Sequence, residues 1–285
     1  MLGRKSNLRL PVAMAGAALT ALLLPARAAD SQIPNFASIE SGWLLTGGTN
    51  WQSPGPGIEG PIANNPKYPY TGNNQGAQST ERIADLTNPN LKPFAAEKMK
   101  LRNDEILAGK TRGFVAQSWC WPGGVPAQML VPAEPIFFVQ TPKIVYIVWQ
   151  RDQNVRRVYL NQPHSKDIKP SVFGESVGHY EGDELVVDSI GMQPGEYLYL
   201  DNYRTPFTKD LHVVERWKMI DGGKKLQVSV TVDDPGAFHK PWSGIAQWNK
   251  VDRGAMQESY CAENNTMDFD SLPRWPMPEA KKADF

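Results

Sequence analysis

Downstream of Cys120 the chain alternates apolar and polar positions in short runs separated by turn residues, the two-residue period of strands whose faces differ. The runs are Ile136 to Gln140, Ile144 to Arg151, Val155 to Leu160, Val172 to Tyr180, Glu184 to Ser189, Leu211 to Ile220, Lys225 to Val232, Ile245 to Val251 and Gln257 to Cys261. Asp152-Gln153-Asn154, Gly182-Asp183 and Asp221-Gly222-Gly223 supply hairpin turns between them. Such a series predicts an all-β fold, a single antiparallel up-and-down β-barrel of the calycin or lipocalin kind, because closure removes the exposed edges of the sheet. A β-sandwich is the alternative.

Upstream, the periodicity fades. From Ala29 to about Asn88 the chain is rich in Gly, Pro and Asn and predicts irregular backbone. Trp43, Trp51, Tyr68 and Tyr70 argue that this stretch is an ordered coil wrapping the domain, since disordered tails lack large apolar groups. Pro93 to Gly109 is the convincing helix: Pro93 suits its first turn, Gly109 its end, and Phe94, Met99, Leu101, Ile106 and Leu107 form a broken stripe. The first 28 residues carry Arg4, Lys5 and Arg9, then an apolar core from Leu10 to Leu24, then Ala26-Arg27-Ala28. That is the pattern of a secretory signal with its cleavage site, and the core is short of the ~20 residues that a spanning helix needs. The expected organisation is therefore a signal peptide (1–28), an irregular wrap with one helix (29–114), a barrel core (115–265) and a tail (266–285), with 29–285 forming one domain.

Charge and cysteine content narrow the classes. Lys and Arg number 30 against 30 Asp and Glu, and the expected signal removes four basic residues, so a formal charge near −4 remains. Neither a nucleic-acid footprint nor a polybasic membrane patch is expected, and no further run is long enough to span a bilayer. The chain's two cysteines, Cys120 and Cys261, lie far apart, which in an exported protein points to one disulfide. The expected location is periplasmic or secreted.

The blocks SWCWPGGVPAQML, IFFVQTPKIVYIVWQ, FGESVGHYEGDELVVDSIG, DLHVVERWKM, TVDDPGAFHKPW and ESYCAENN resemble those of a family of exported, mostly uncharacterised bacterial β-rich proteins. Those proteins share EGDxLVVD, LHxxER and CxENN blocks. The resemblance covers roughly residues 115 to 265 and implies one exported β domain, with Cys120 and Cys261 at matching positions. It brings no assigned activity.

Candidate chemistry centres on two pairs. His179 and Glu181 stand two apart at the end of a strand, so both project to one face. His212 and Glu215 have opposite parity in a regular strand and share a face only across a bulge. A His beside a carboxylate in a mostly apolar barrel suits proton transfer, so His179, Glu181, His212 and Glu215 are the expected catalytic set, with no cofactor. A metal centre could instead draw on His179, Glu181 and His212, although no metal-binding motif is present. Gly174-Glu175-Ser176-Val177-Gly178 spells a nucleophile elbow, but a β-hairpin follows where that motif needs a helix. Trp119, Trp121, Tyr180 and Trp217 are the expected walls of a site for a small apolar or aromatic molecule. The reading is an exported barrel enzyme of lyase, isomerase or cyclase type; the alternatives are a non-catalytic carrier of hydrophobic ligands and a metal-dependent hydrolase or oxidase.

Overall fold

A computed structural model describes residues 33–37, 41–70, 82–110, 115–131 and 134–261; the signal-like segment and the C-terminal tail lie outside these. Nine strands form a closed barrel in chain order. They are β1 (Ser41–Thr46), β2 (Ile136–Gln140), β3 (Ile144–Trp149), β4 (Val155–Leu160), β5 (Glu175–Glu181), β6 (Glu184–Ile190), β7 (His212–Ile220), β8 (Lys225–Asp233) and β9 (Trp242–Asp252). The all-β barrel with one helix is therefore present. No helix among the described residues is long and apolar enough to cross a membrane.

Three features depart from the alternation pattern. The run Gln257 to Cys261 is not a strand; the place next to β9 is taken by β1, which pairs with it from Ser41↔Asp252 to Thr46↔Gln247. The barrel thus draws a strand from the stretch expected to be coil, and Trp43, 2% exposed, points into the core. Second, the barrel is not up-and-down throughout, because β4 and β5 run parallel, with Val158↔Ser176 to Leu160↔Gly178 in register. The chain crosses back through residues 161–174, as parallel neighbours require. It re-enters the sheet at Gly174, whose φ of +62° and whose closeness to Ile190 (an added Cβ would sit 2.3 Å from that carbonyl oxygen) exclude a side chain. Third, the helix α1 (Pro93–Leu107) buries Ala95, Met99 and Asn103 rather than the larger apolar residues, leaving Phe94, Leu101 and Leu107 exposed. Spacing of four residues puts the buried three on one stripe. Asn103 accepts from the Ala84 amide (3.1 Å) and donates to the Ala84 carbonyl (3.0 Å), tying the helix to the coil.

That coil is bound to the barrel through its aromatics: the Trp51 indole donates to the Leu200 carbonyl (2.9 Å) and the Trp43 indole to the Phe36 carbonyl (3.0 Å). A disulfide joins Cys120 to Cys261.

The lumen is filled by side chains. Trp149, Trp217, Trp242 and Trp248 are each about fully buried there, with Trp217 against Trp248 and Phe138. Amid them sits one ion pair, Arg156 and Glu215, at 1% and 0% side-chain exposure. Arg156 donates from Nη1 to Glu215 Oε2 (3.0 Å), from Nε to Ser176 Oγ (3.0 Å) and from Nη2 to Ser189 Oγ (2.7 Å), and Nη2 lies 2.8 Å from Glu215 Oε1. The Trp217 indole completes the carboxylate's shell at 2.8 Å.

Candidate functional site

The four residues expected to act together do not meet. Strand β7 has no bulge between His212 and Glu215, so parity separates them: Glu215 is in the lumen and His212 is on the outer wall. His179 and Glu181 do share a face and bond to each other (Nε2···Oε1 2.8 Å), but that face is the exterior, where each side chain is 49% exposed. Glu181 also accepts from Arg216 (2.8 Å), and Arg216 donates to Glu184 (3.1 Å), which makes a solvated charge ladder. Hydrogen bonds from His179 and then Arg216 hold Glu181 below the usual carboxylate range. His179 stands level with Arg216 through Val186, and His212 lies four residues further along β7, roughly 13 Å away along the strand. Neither a shared acid/base pocket nor a metal centre from His179, Glu181 and His212 can form at that separation.

The expected substrate walls also disperse. Trp217 is core, its indole committed to Glu215. The Tyr180 hydroxyl accepts from Gln140 (2.8 Å), and burial pushes its phenol up. Trp121 packs on Tyr197, and the Trp119 side chain lies outside the described residues. Ser176 is buried, its hydroxyl bonded to Arg156 and Ser189, so it is no exposed nucleophile. Asp234 folds the turn before β9 by accepting from Thr208 and Gly236.

What the fold does assemble is a different constellation around His212. Its Nε2 lies 3.0 Å from Asp188 Oδ1, and the same oxygen lies 3.0 Å from His164 Nε2. His164 turns its other nitrogen to Glu175 Oε1, also at 3.0 Å. Glu175 further accepts from the Ser165 amide (2.7 Å) and hydroxyl (2.5 Å). Four segments thus contribute: the crossover, β5, β6 and β7. An ionised carboxylate only accepts, so the imidazoles of His164 and His212 are the donor side of these contacts. Among the described residues no set of three His, Cys, Asp or Glu is arranged to hold a metal ion.

Burial works against the charge of both carboxylates, and hydrogen bonds outweigh it. Asp188 is held below its usual range by His164 and His212, and Glu175 by Ser165 and then His164. No family model and no curated protein matches the chain. The site's chemistry therefore rests on its own geometry.

Beside this chain of contacts lies a cleft of about 370 Å³, at the seam where β4 and β5 part below Val158↔Ser176. Glu175 belongs to both the cleft wall and the chain. Opposite it stand Arg157 and Tyr159 on β4, and the crossover contributes Asp167, Lys169 and Phe173.

The expected set shares only His212 with this constellation, and His164, Glu175 and Asp188 stand outside that set. Parity was the available signal for Asp188, which shares the outer face of β6 with Glu184 and Val186.

The depressed carboxylates give a pH prediction. A group whose pKa is lower folded than unfolded adds stability above its unfolded value, and that stability disappears as pH falls through the folded value. Between about pH 5 and 3, Asp188→Asn should therefore lose less stability than the wild type. At 40% exposure the difference should stay under about 1 kcal/mol. Urea midpoints across that range measure it; an equally steep acid limb in both proteins would count against the Asp188 bonds.

Proposed function

We propose that the protein is an exported β-barrel enzyme of the acid/base type, of the lyase or isomerase kind, acting on a small molecule held in the seam cleft. Glu175 is the proton-transfer group, and His164, Asp188 and His212 position it. The observation that carries this reading is the unbroken sequence of 3.0 Å contacts from Glu175 to His212, which ends in the wall of a ligand-sized cleft. Export is supported by the signal-like N-terminus and by the disulfide.

Glu175 Oε1 already receives two donors and Oε2 one, which leaves a lone pair on Oε2 for a substrate proton. Held low, the carboxylate is ionised through the neutral range. Its bonds make it a weaker base than a free carboxylate, so it is restricted to a proton strongly acidified by an adjacent carbonyl, with return of that proton to another position of the same substrate.

The test is deuterium exchange: the protein is incubated in D2O with a panel of small ketones, aromatic acids and other carbon acids, and loss of C–H signals is followed by NMR. Glu175→Gln should slow exchange by about 100-fold or more. His164→Ala should instead move the acid limb of the rate profile to higher pH, because it removes one of the bonds that hold Glu175 low. No exchange with any panel member, or exchange unaffected by Glu175→Gln, would set the acid/base reading aside. A non-catalytic binder would then be the better reading, and it too would use the cleft, since the lumen is packed.

A further inference from the structure

The charges along the cleft point to a class of ligand. Arg156, at the floor, is matched by Glu215 in the lumen, and Glu175 is met by His164 and Ser165. Arg157, Lys169 and Asp167 remain, all exposed, and among the described residues no ion pair engages any of the three. With Glu175 already taken up by its own donors, Arg157 and Lys169 are the two cations of the wall open to an anion, and Asp167 is the one carboxylate there with no ion pair. One step beyond the last register pair Arg157 would face Glu175 across the seam, yet the strands have parted and no ion pair forms.

The apolar part of the wall includes Val155, Ile168 and two aromatic rings, Tyr159 and Phe173. Phe173 is stacked on the buried Trp149, with ring centroids 6.2 Å apart and planes within 21°, so its ring is fixed from behind. Tyr159 stands on the facing strand. A flat ring between Tyr159 and Phe173, with its charged end toward Arg157 and Lys169, fits a cleft of this size.

We infer that the seam cleft binds a small aromatic carboxylate, its ring against Phe173 and its anion held by Arg157 with help from Lys169. A planar guanidinium grips a carboxylate through two parallel N–H bonds, whereas the lysine contributes a point charge. This inference rests on the reading of the cleft as the ligand site.

Benzoate is the probe, with benzylamine and cyclohexanecarboxylate as controls for charge and ring, titrated into the full-length protein by calorimetry. Benzoate should bind more tightly than either control. Arg157→Gln should weaken it about tenfold, the loss of one charge-assisted pair. Lys169→Gln and Phe173→Leu should each weaken it a few-fold. Both cations are exposed, so these variants keep the fold. Benzylamine binding as tightly as benzoate, or benzoate binding unchanged by Arg157→Gln, would overturn the inference. Two variants separate the proposals: Glu175→Gln should slow proton exchange by about 100-fold or more, whereas Arg157→Gln should weaken benzoate binding. Retained exchange with no benzoate binding would reject the ligand class and keep the acid/base reading.

Discussion

Glu215→Gln and Arg156→Met are each expected to cost about 3–5 kcal/mol of unfolding free energy, because each strands its partner's charge in the packed lumen. With Glu215 neutralised, the Arg156 guanidinium keeps the hydroxyls of Ser176 and Ser189 and at most a neutral amide oxygen, with no counter-charge; with Arg156 gone, the carboxylate keeps the Trp217 indole. The double variant Arg156→Met/Glu215→Leu removes both charges at similar volume, and it should be markedly more stable than either single variant. Against a typical total of about 5–15 kcal/mol, the single changes consume a large share. Urea unfolding of the wild type, Arg156→Met, Glu215→Leu and the double variant gives the coupling, and Glu215→Gln isolates the loss of charge alone. A single variant that fails to fold while the double variant folds supports the account equally. Single variants that each cost under about 1 kcal/mol would show that water or rearrangement relieves the charge.

How much of this was legible beforehand depends on which physical rule each residue obeys. Arg156 shares parity with Val158 and Leu160, and Glu215 with Val213 and Trp217, so strict alternation places both in the lumen. The general rule that charged residues stay outside opposed that placement, and it fails here because the two satisfy each other. The barrel and the disulfide were legible, because strand periodicity and the paired cysteines are local or compositional signals. Strand β1 was not: six residues within a Gly-rich coil become a strand by pairing with β9, a partner roughly 200 positions away.

The candidate site was hidden for a related reason. Its cleft exists because β4 and β5 run parallel, and alternation carries no information on direction. The connection did carry some: residues 161–174 are far longer than a hairpin turn and include Pro163 and Pro170. Given that crossover, His164 falls beside β5 and β6 and reaches Glu175 and Asp188. His212 joins them because β6 and β7 pair with Asp188 opposite Val214, two residues from His212. Which carboxylate a histidine meets is thus a matter of register, which the sequence spacing of His212 and Glu215 does not reveal.

Breaking the covalent link should have the other large effect. Cys120 and Cys261 are 141 positions apart, and in the chain-entropy account a loop of that length removes about 5 kcal/mol of unfolded-state freedom. Cys120→Ser/Cys261→Ser should lose most of that stability in urea unfolding, and the wild type in reductant should fall to the same level. Locally the loss should be small. The run before Cys261 stays attached through the Asp152 amide to the Ser259 carbonyl (3.0 Å), the Cys261 amide to Asp152 (2.7 Å), the Gln257 amide to Gln150 (3.1 Å) and Ser259 to Glu134 (2.7 Å). The two contributions are therefore separable: hydrogen exchange at 257–261 reports the bonds, and the urea midpoint reports the link. A midpoint that stays put while 257–261 loses protection would mean that the disulfide acts only on the native terminus, and the entropic account would have to be abandoned for this barrel.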